Sequence, residues 1–139
     1  MKGRVFVDTN LWVYLYSSKP KADRVKFLLD KHFAELIIST QVLGELFNVL
    51  VKKGFKSKKE AKEIISDLVE NFRVTEIDKS FVFKGIEISI EYGYSYWDSL
   101  IIASALKSDC STLYTEDMQH GQLIERKLKI SDPFKDIAP

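Results

Sequence analysis

One cysteine, three prolines, two histidines and almost no net charge are what this chain has least of. A lone Cys110 excludes an internal disulfide and any cysteine-rich zinc site. It reads as a structural thiol, and such sparse cysteine usage fits a cytoplasmic setting. His32 and His120 fall in no ligand-spaced motif, so a zinc centre has nothing to build on. The prolines are Pro20, Pro133 and Pro139, which leaves 21–132 free of that kind of helix breaker. No apolar run approaches the ~18 residues of a membrane span. The start, Met1-Lys2-Gly3-Arg4, leads straight into a strand-like run with no signal-peptide core. The expectation is a chain neither exported by a standard signal nor membrane-spanning. Net charge is +1, from 21 basic and 20 acidic residues, so nucleic-acid binding must rest on local patches.

What is present is a core. At 139 residues and 45% hydrophobic, the chain reads as one domain over 1–139. A chain of this length buries roughly 68–70% of its unfolded surface and needs no staple to fold. There is no repeat, low-complexity tract or Gly/Ser linker.

The apolar pattern alternates strands with helices. Strands are expected at 4–7, 36–39, 73–77 and 112–115, with a short one near 128–130. Helices are expected at 10–17 with Asn10 as N-cap, at 21–32 after a turn at Lys19-Pro20, and at 41–53 ending on Gly54. Ser57 with Glu60 three residues on has capping-box spacing and opens a helix to about Asn71. Its inward side is Ala61, Ile64, Ile65, Leu68 and Val69. The helix 79–92 presents Phe81, Val82, Ile86 and Ile90 and breaks near Gly93. The helix 96–108 is apolar on nearly all sides and should be central. This order predicts an α/β fold with a mainly parallel sheet of four to five strands covered on both faces. Such folds carry their sites beyond the carboxyl ends of the strands, where strand order reverses.

Four acids arrive at that edge from four segments. Asp8 follows Arg4-Val5-Phe6-Val7, Glu45 comes shortly after Leu36-Ile37-Ile38-Ser39, Asp98 opens an apolar helix, and Asp117 follows Leu113-Tyr114-Thr115. Each has an ordinary role open to it. Asp8 can cap a helix. Glu45 lies on a polar stripe with Gln41, Asn48 and Lys52. Asp98 pairs by spacing with Ser95 as a capping pair. Asp117, like Glu116 beside it, can be loop acidity. Together they are less ordinary, because clustered carboxylates repel unless protonated or neutralised by a cation. An all-oxygen set favours Mg²⁺ or Mn²⁺ over zinc. Asn10 and Thr115 are candidates to orient these carboxylates.

The segments Phe6-Val7-Asp8-Thr9-Asn10, Tyr96-Trp97-Asp98-Ser99-Leu100-Ile101-Ile102-Ala103 and Leu113-Tyr114-Thr115-Glu116-Asp117, with Glu45 between, resemble the PIN-domain ribonucleases, nearest the VapC-type toxins of toxin–antitoxin modules. The likeness spans Val5 to about Ile130. It implies a three-layer α/β/α fold and metal-dependent RNA cleavage, with one or two Mg²⁺ or Mn²⁺ ions. By position it makes Asp8, Glu45 and Asp98 metal ligands, with Asp117 completing the site or holding a second ion. It also implies a homodimer and inhibition by a small antitoxin. A non-catalytic RNA-binding module on the same fold, or a nuclease of RNA processing, are the alternatives. A haloacid-dehalogenase-like phosphatase wants an Asp where Asn10 stands. A response-regulator receiver wants an acidic pair near strand one that is not evident.

Weaker signals remain. Lys52, Lys53, Lys56, Lys58 and Lys59 form a basic run, either a guide for RNA phosphates or a solvated tip. Lys19, Lys21 and Arg24 form a second. Tyr92, Tyr94, Tyr96 and Trp97 crowd before Asp98, where they either stack on bases or pack. The helix 10–17, with Leu11, Trp12, Tyr14 and Leu15, offers a face for an antitoxin helix.

Overall fold

The structure is a computed structural model that describes residues 3–17 and 19–135. The elements run β1 (Arg4–Val7), α1 (Thr9–Leu15), α2 (Lys19–Lys31), β2 (Leu36–Ser39), α3 (Thr40–Lys52), α4 (Lys58–Asn71), β3 (Arg73–Thr75), α5 (Lys79–Tyr92), α6 (Tyr96–Lys107), β4 (Cys110–Tyr114), β5 (Leu123–Ile124) and β6 (Leu128–Ser131). The strands form one sheet in the order β3-β2-β1-β4-β6-β5. All pairings are parallel except the β5/β6 hairpin. The sheet has six strands rather than four to five, because two-residue β5 is too short to carry an apolar pattern of its own.

Burial establishes the layering. In β1 the successive residues Val5, Phe6 and Val7 are all buried, and so are all four residues of β2. Neighbouring strand residues point to opposite faces, so both faces of the sheet are covered. The helix α6 is buried along Ser99–Leu106 without interruption, as its all-round apolar sequence requires. The side chain of Trp12 lies in the core and its Nε1 donates to the Val7 carbonyl at 3.2 Å, satisfying the one polar atom of the ring. That removes Trp12, and with it the fully buried Leu11, from any exposed face of α1. Cys110 is buried in the core, and burial pushes its thiol up to about 12.

Several boundaries move for local reasons. The N-cap of α1 is Asp8, not Asn10, since the Asp8 carboxylate accepts from Thr9 N at 2.7 Å. The helix α2 begins at Lys19 and takes Pro20 into its first turn, where a missing N–H breaks no helical bond. Ser57 and Glu60 make both bonds of the capping box, at 3.1 and 2.9 Å. Of the expected inward side of α4, Ala61 and Leu68 are buried but Val69 is exposed.

The helix α5 turns a different side inward than its large residues suggest. Phe81, Gly85 and Ile88 are buried, whereas Ile86 and Ile90 face solvent. The reason is packing against α6: a Cβ at Gly85 would sit 3.4 Å from the Leu100 Cα, so the helices meet there at backbone distance. Gly93, at φ 80°, ends α5 and lets the chain reverse into α6.

Candidate active site

The strand order reverses between β1 and β4, both parallel, and the chain leaves both at the same edge. Asp8 is the first residue after β1, and Thr115 to Asp117 follow β4. The Asp8 amide donates to the Tyr114 carbonyl at 3.0 Å, which extends the ladder one residue past the strands. An open cleft of about 330 Å³ lies here, lined by Asp8, Glu45, Asp98 and Asp117 among others. The first two turns of α3 supply Gln41 and Glu45, and the first turn of α6 supplies Trp97 and Asp98. Among the described residues, no lysine or arginine lines it.

The carboxylates of Asp8, Glu45 and Asp117 are each held by a donor from another segment or a chain neighbour. Asp8 is 7% exposed and accepts from Thr9 N at 2.7 Å and from the Thr115 hydroxyl at 2.8 Å. The Thr9 hydroxyl donates to Glu45 Oε1 at 2.6 Å. The Asn10 amide donates to Asp117 Oδ2 at 2.7 Å. Gln41 Nε2 reaches Glu45 Oε2 at 3.3 Å and the Trp97 carbonyl at 3.4 Å, tying α3 to α6. Asp98 is fixed by its backbone, with Ser95 Oγ accepting from Asp98 N at 3.2 Å. Ser95 thus caps α6 while the Asp98 carboxylate faces the cleft.

The electrostatics are those of crowded anions. Burial pushes Asp8 up to about 6, the Thr115 and Thr9 hydrogen bonds pull the other way, and Asp117 and Asp98 add to the rise. Asp98 is raised by burial first, then by Asp117 and Glu45, with the Ser95 side chain pulling the other way. Asp8 and Asp98 are therefore both held more readily protonated than a free carboxylate, a cost that a bound cation removes.

The structure separates the two adjacent acids after β4. Asp117 lines the cleft. Glu116 turns away to accept from the Tyr14 hydroxyl and to pair with Lys21 at 3.5 Å. Lys21 is thereby paired with an acid, and Arg24 Nε donates to the Pro133 carbonyl at 3.0 Å. Lys52, Lys53, Lys58 and Lys59 are exposed and Lys56 half-buried. Lys52 continues the stripe of Gln41, Glu45 and Asn48 along α3. Among the aromatics, Tyr92 and Tyr94 are structural: their hydroxyls accept from Glu125 N and Gln119 N, at 3.0 and 3.1 Å. Trp97 is not buried. Gln41 and Asn48, which the sequence marks only as members of the polar stripe with Glu45, also line the cleft, and their helical spacing from Glu45 is the signal that finds them.

Among the described residues, no three His, Cys, Asp or Glu side chains close on one point tightly enough to hold an ion as they stand. The donor chemistry nonetheless fits a hard divalent cation: every ligating group is oxygen, four carboxylates share the cleft, and no protein cation neutralises them.

A comparison with curated proteins finds no match. Among solved structures the fold is similar to a toxin–antitoxin complex from Klebsiella pneumoniae, at 19% identity over 93% of this chain and 97% of that one, TM-score 0.72. It is also similar to a sarcin-ricin loop cleaving toxin, VapC20 of Mycobacterium tuberculosis, at 20% identity over 81% and 89%, TM-score 0.67. DNA-bound VapBC from Salmonella typhimurium aligns at 17% identity over 96% and 99%, TM-score 0.72. At such identities the likeness concerns the fold. The sequence match is the stronger statement: the PIN domain family model covers residues 5–123, with Asp8, Glu45, Asp98 and Asp117 all inside it, and the chain belongs to the PIN domain family.

Proposed function

We propose that this protein is a divalent-metal-dependent endoribonuclease that hydrolyses RNA phosphodiester bonds at Asp8, Glu45, Asp98 and Asp117. The observation that carries the reading is the cleft itself. Four carboxylates from four separate segments line one opening at the strand-order reversal, with no basic side chain among them. An arrangement that expensive in repulsion is maintained for a cation and an anionic substrate together.

Asp8 and Asp98 would be the central ligands of Mg²⁺ or Mn²⁺, with Glu45 direct or through water. Asp117 would take a second ion or position the attacking water. When bound, the metal supplies a lowered pKa for water, orientation of the phosphate and neutralisation of its developing charge. The protein's own part is placement. The Thr115 hydroxyl and the Thr9 amide occupy one lone pair on each Asp8 oxygen and fix the plane of that carboxylate. Thr9 and Gln41 hold Glu45 from two sides. Asn10 holds Asp117 through one oxygen, which leaves the other free. Among the described residues, no histidine, lysine or serine lines the cleft, so proton handling falls to the carboxylates.

We assign the chain the role of toxin in a type II toxin–antitoxin pair, acting in the cytoplasm as a homodimer and neutralised by a small antitoxin. The support is that similarly folded proteins include toxin–antitoxin complexes and a toxin that cleaves the sarcin-ricin loop. No helix among the described residues is long and apolar enough to cross a membrane. The decisive experiment is RNA cleavage by Asp98→Asn in Mg²⁺ or Mn²⁺. Activity should fall by at least two orders of magnitude, with the circular dichroism spectrum unchanged. Full activity in both Asp98→Asn and Asp8→Asn overturns the assignment. Metal binding by the wild type without cleavage of any RNA makes the protein a binding module.

A further inference from the structure

The cleft has one large wall residue that neither the fold nor the carboxylates account for. Trp97 is 63% exposed, an unusual position for the largest apolar side chain, while the other tryptophan, Trp12, is 1% exposed. Trp97 lines the same opening as the four acids and immediately precedes Asp98. Its backbone is held by the α6 cap at Ser95 and by Gln41 on its carbonyl. Its ring meets that of Tyr96 at 4.9 Å between centroids and 72° between planes. An edge-to-face contact of that kind covers at most one face of the indole and leaves the other open.

We propose that Trp97 is the platform on which an unpaired base of the RNA stacks while its neighbouring phosphate enters the carboxylate cleft. This rests on the nuclease reading of the cleft. A rigid, half-braced indole beside a phosphodiester site meets the requirements for stacking: an open π-face, fixed backbone and adjacency to where the backbone of the strand must lie. At about 330 Å³ the opening is at the small end of ligand sites and suits one splayed-out nucleotide. A base already paired in a helix has no free face to offer, so the substrate class is RNA that is single-stranded at the cut. Asn48, which lines the same wall, is placed to meet the edge of such a base with its amide group, which reads sequence where the indole does not.

The two tryptophans make the test direct. The full chain carrying Asp8→Asn, in Mg²⁺, is titrated with a mixed-sequence single-stranded RNA of about twelve nucleotides while indole emission is followed; the substitution prevents consumption of the RNA. Emission should be quenched by the single strand and much less by the same RNA as a duplex. Trp97→Phe, which keeps only buried Trp12, should lose the response. In the otherwise wild-type chain, Trp97→Ala should raise KM roughly 5- to 100-fold, the range expected for one stacked base, with kcat changed less than about threefold. Trp97→Phe should recover part of that loss. Trp97→Ala with an unchanged KM overturns the proposal, as does RNA binding that leaves emission unchanged. If emission of the free protein is already shielded from a soluble quencher, Trp97 is covered by a protein surface and the proposal fails. Quenching and weakened binding without cleavage in the wild type overturn the nuclease reading and leave the stacking platform standing.

Discussion

Replacing Asp8 by Asn should make the metal-free protein more stable, against the usual effect of changing a buried polar residue. Asp8 is pushed from 3.8 to about 6 by burial above all. At ~1.36 kcal/mol per pH unit, the ionised carboxylate costs the fold about 3 kcal/mol at neutral pH. Because the folded value lies above the unfolded one, the folded state holds the proton more tightly. The cost is therefore absent below about pH 4, grows through about pH 6 and is complete above it. Asn keeps an oxygen to accept from Thr9 N but no longer accepts from the Thr115 hydroxyl, a loss of about 1 kcal/mol. The net gain is about 2 kcal/mol, or about 6–8 °C in Tm for a domain of this size. The assay is thermal unfolding in EDTA at pH 7.5 and again at pH 5. Wild type should gain stability on going to pH 5, Asp8→Asn should gain less, and the two should converge. A lower Tm for Asp8→Asn at pH 7.5, or parallel pH profiles, refutes the reasoning. Adding Mg²⁺ should reverse the ranking at pH 7.5, since stabilisation by a ligand reaches about 2.7 kcal/mol at a hundredfold excess over Kd and requires the ligand set.

Three further outcomes are expected. Thr115→Val, isosteric but without the hydroxyl that donates to Asp8 and accepts from Asp117 N at 3.2 Å, should cost about 1–3 kcal/mol at pH 7.5 by chemical denaturation. Reversing charge at Lys52 and Lys53 together should lower RNA affinity and flatten its logarithmic salt dependence by about 1.4, at ~0.7 per single-strand phosphate contact; an unchanged slope makes the basic run a solvated tip. Cys110, buried and pushed up to about 12, should react with a thiol reagent only at the rate of unfolding, read by comparing modification in buffer and in denaturant.

What could be read in the chain was whatever is encoded within a few residues. The Ser57–Glu60 box, the break at Gly93 and the all-round apolar α6 are local signals, and the structure carries each of them. Asp8, Asp98 and Asp117 were legible for the same reason, each lying near the end or start of an apolar run, whereas Glu45 stood out only as part of the polar stripe of α3. What was not legible was decided across the chain. The inward side of α5 depends on Gly85 meeting Leu100, so a small residue, not Ile86 or Ile90, marks the packed face. The choice between Glu116 and Asp117 depends on Tyr14 and Lys21 drawing one of them outward. The cap on α1 fell to Asp8 because one carboxylate both serves Thr9 N and lines the cleft.

The pairing of β1 with β4 sets a schedule for activity. Asp8 is synthesised more than a hundred positions before its ladder partner Tyr114, its donor Thr115 and its cleft neighbour Asp117. At ~5–20 residues per second, roughly 5–20 s separate the emergence of the two halves of the centre. Until the later half has emerged, Asp8 has neither its ladder partner Tyr114 nor its donor Thr115, so the centre cannot be complete while only the first half of the domain is made.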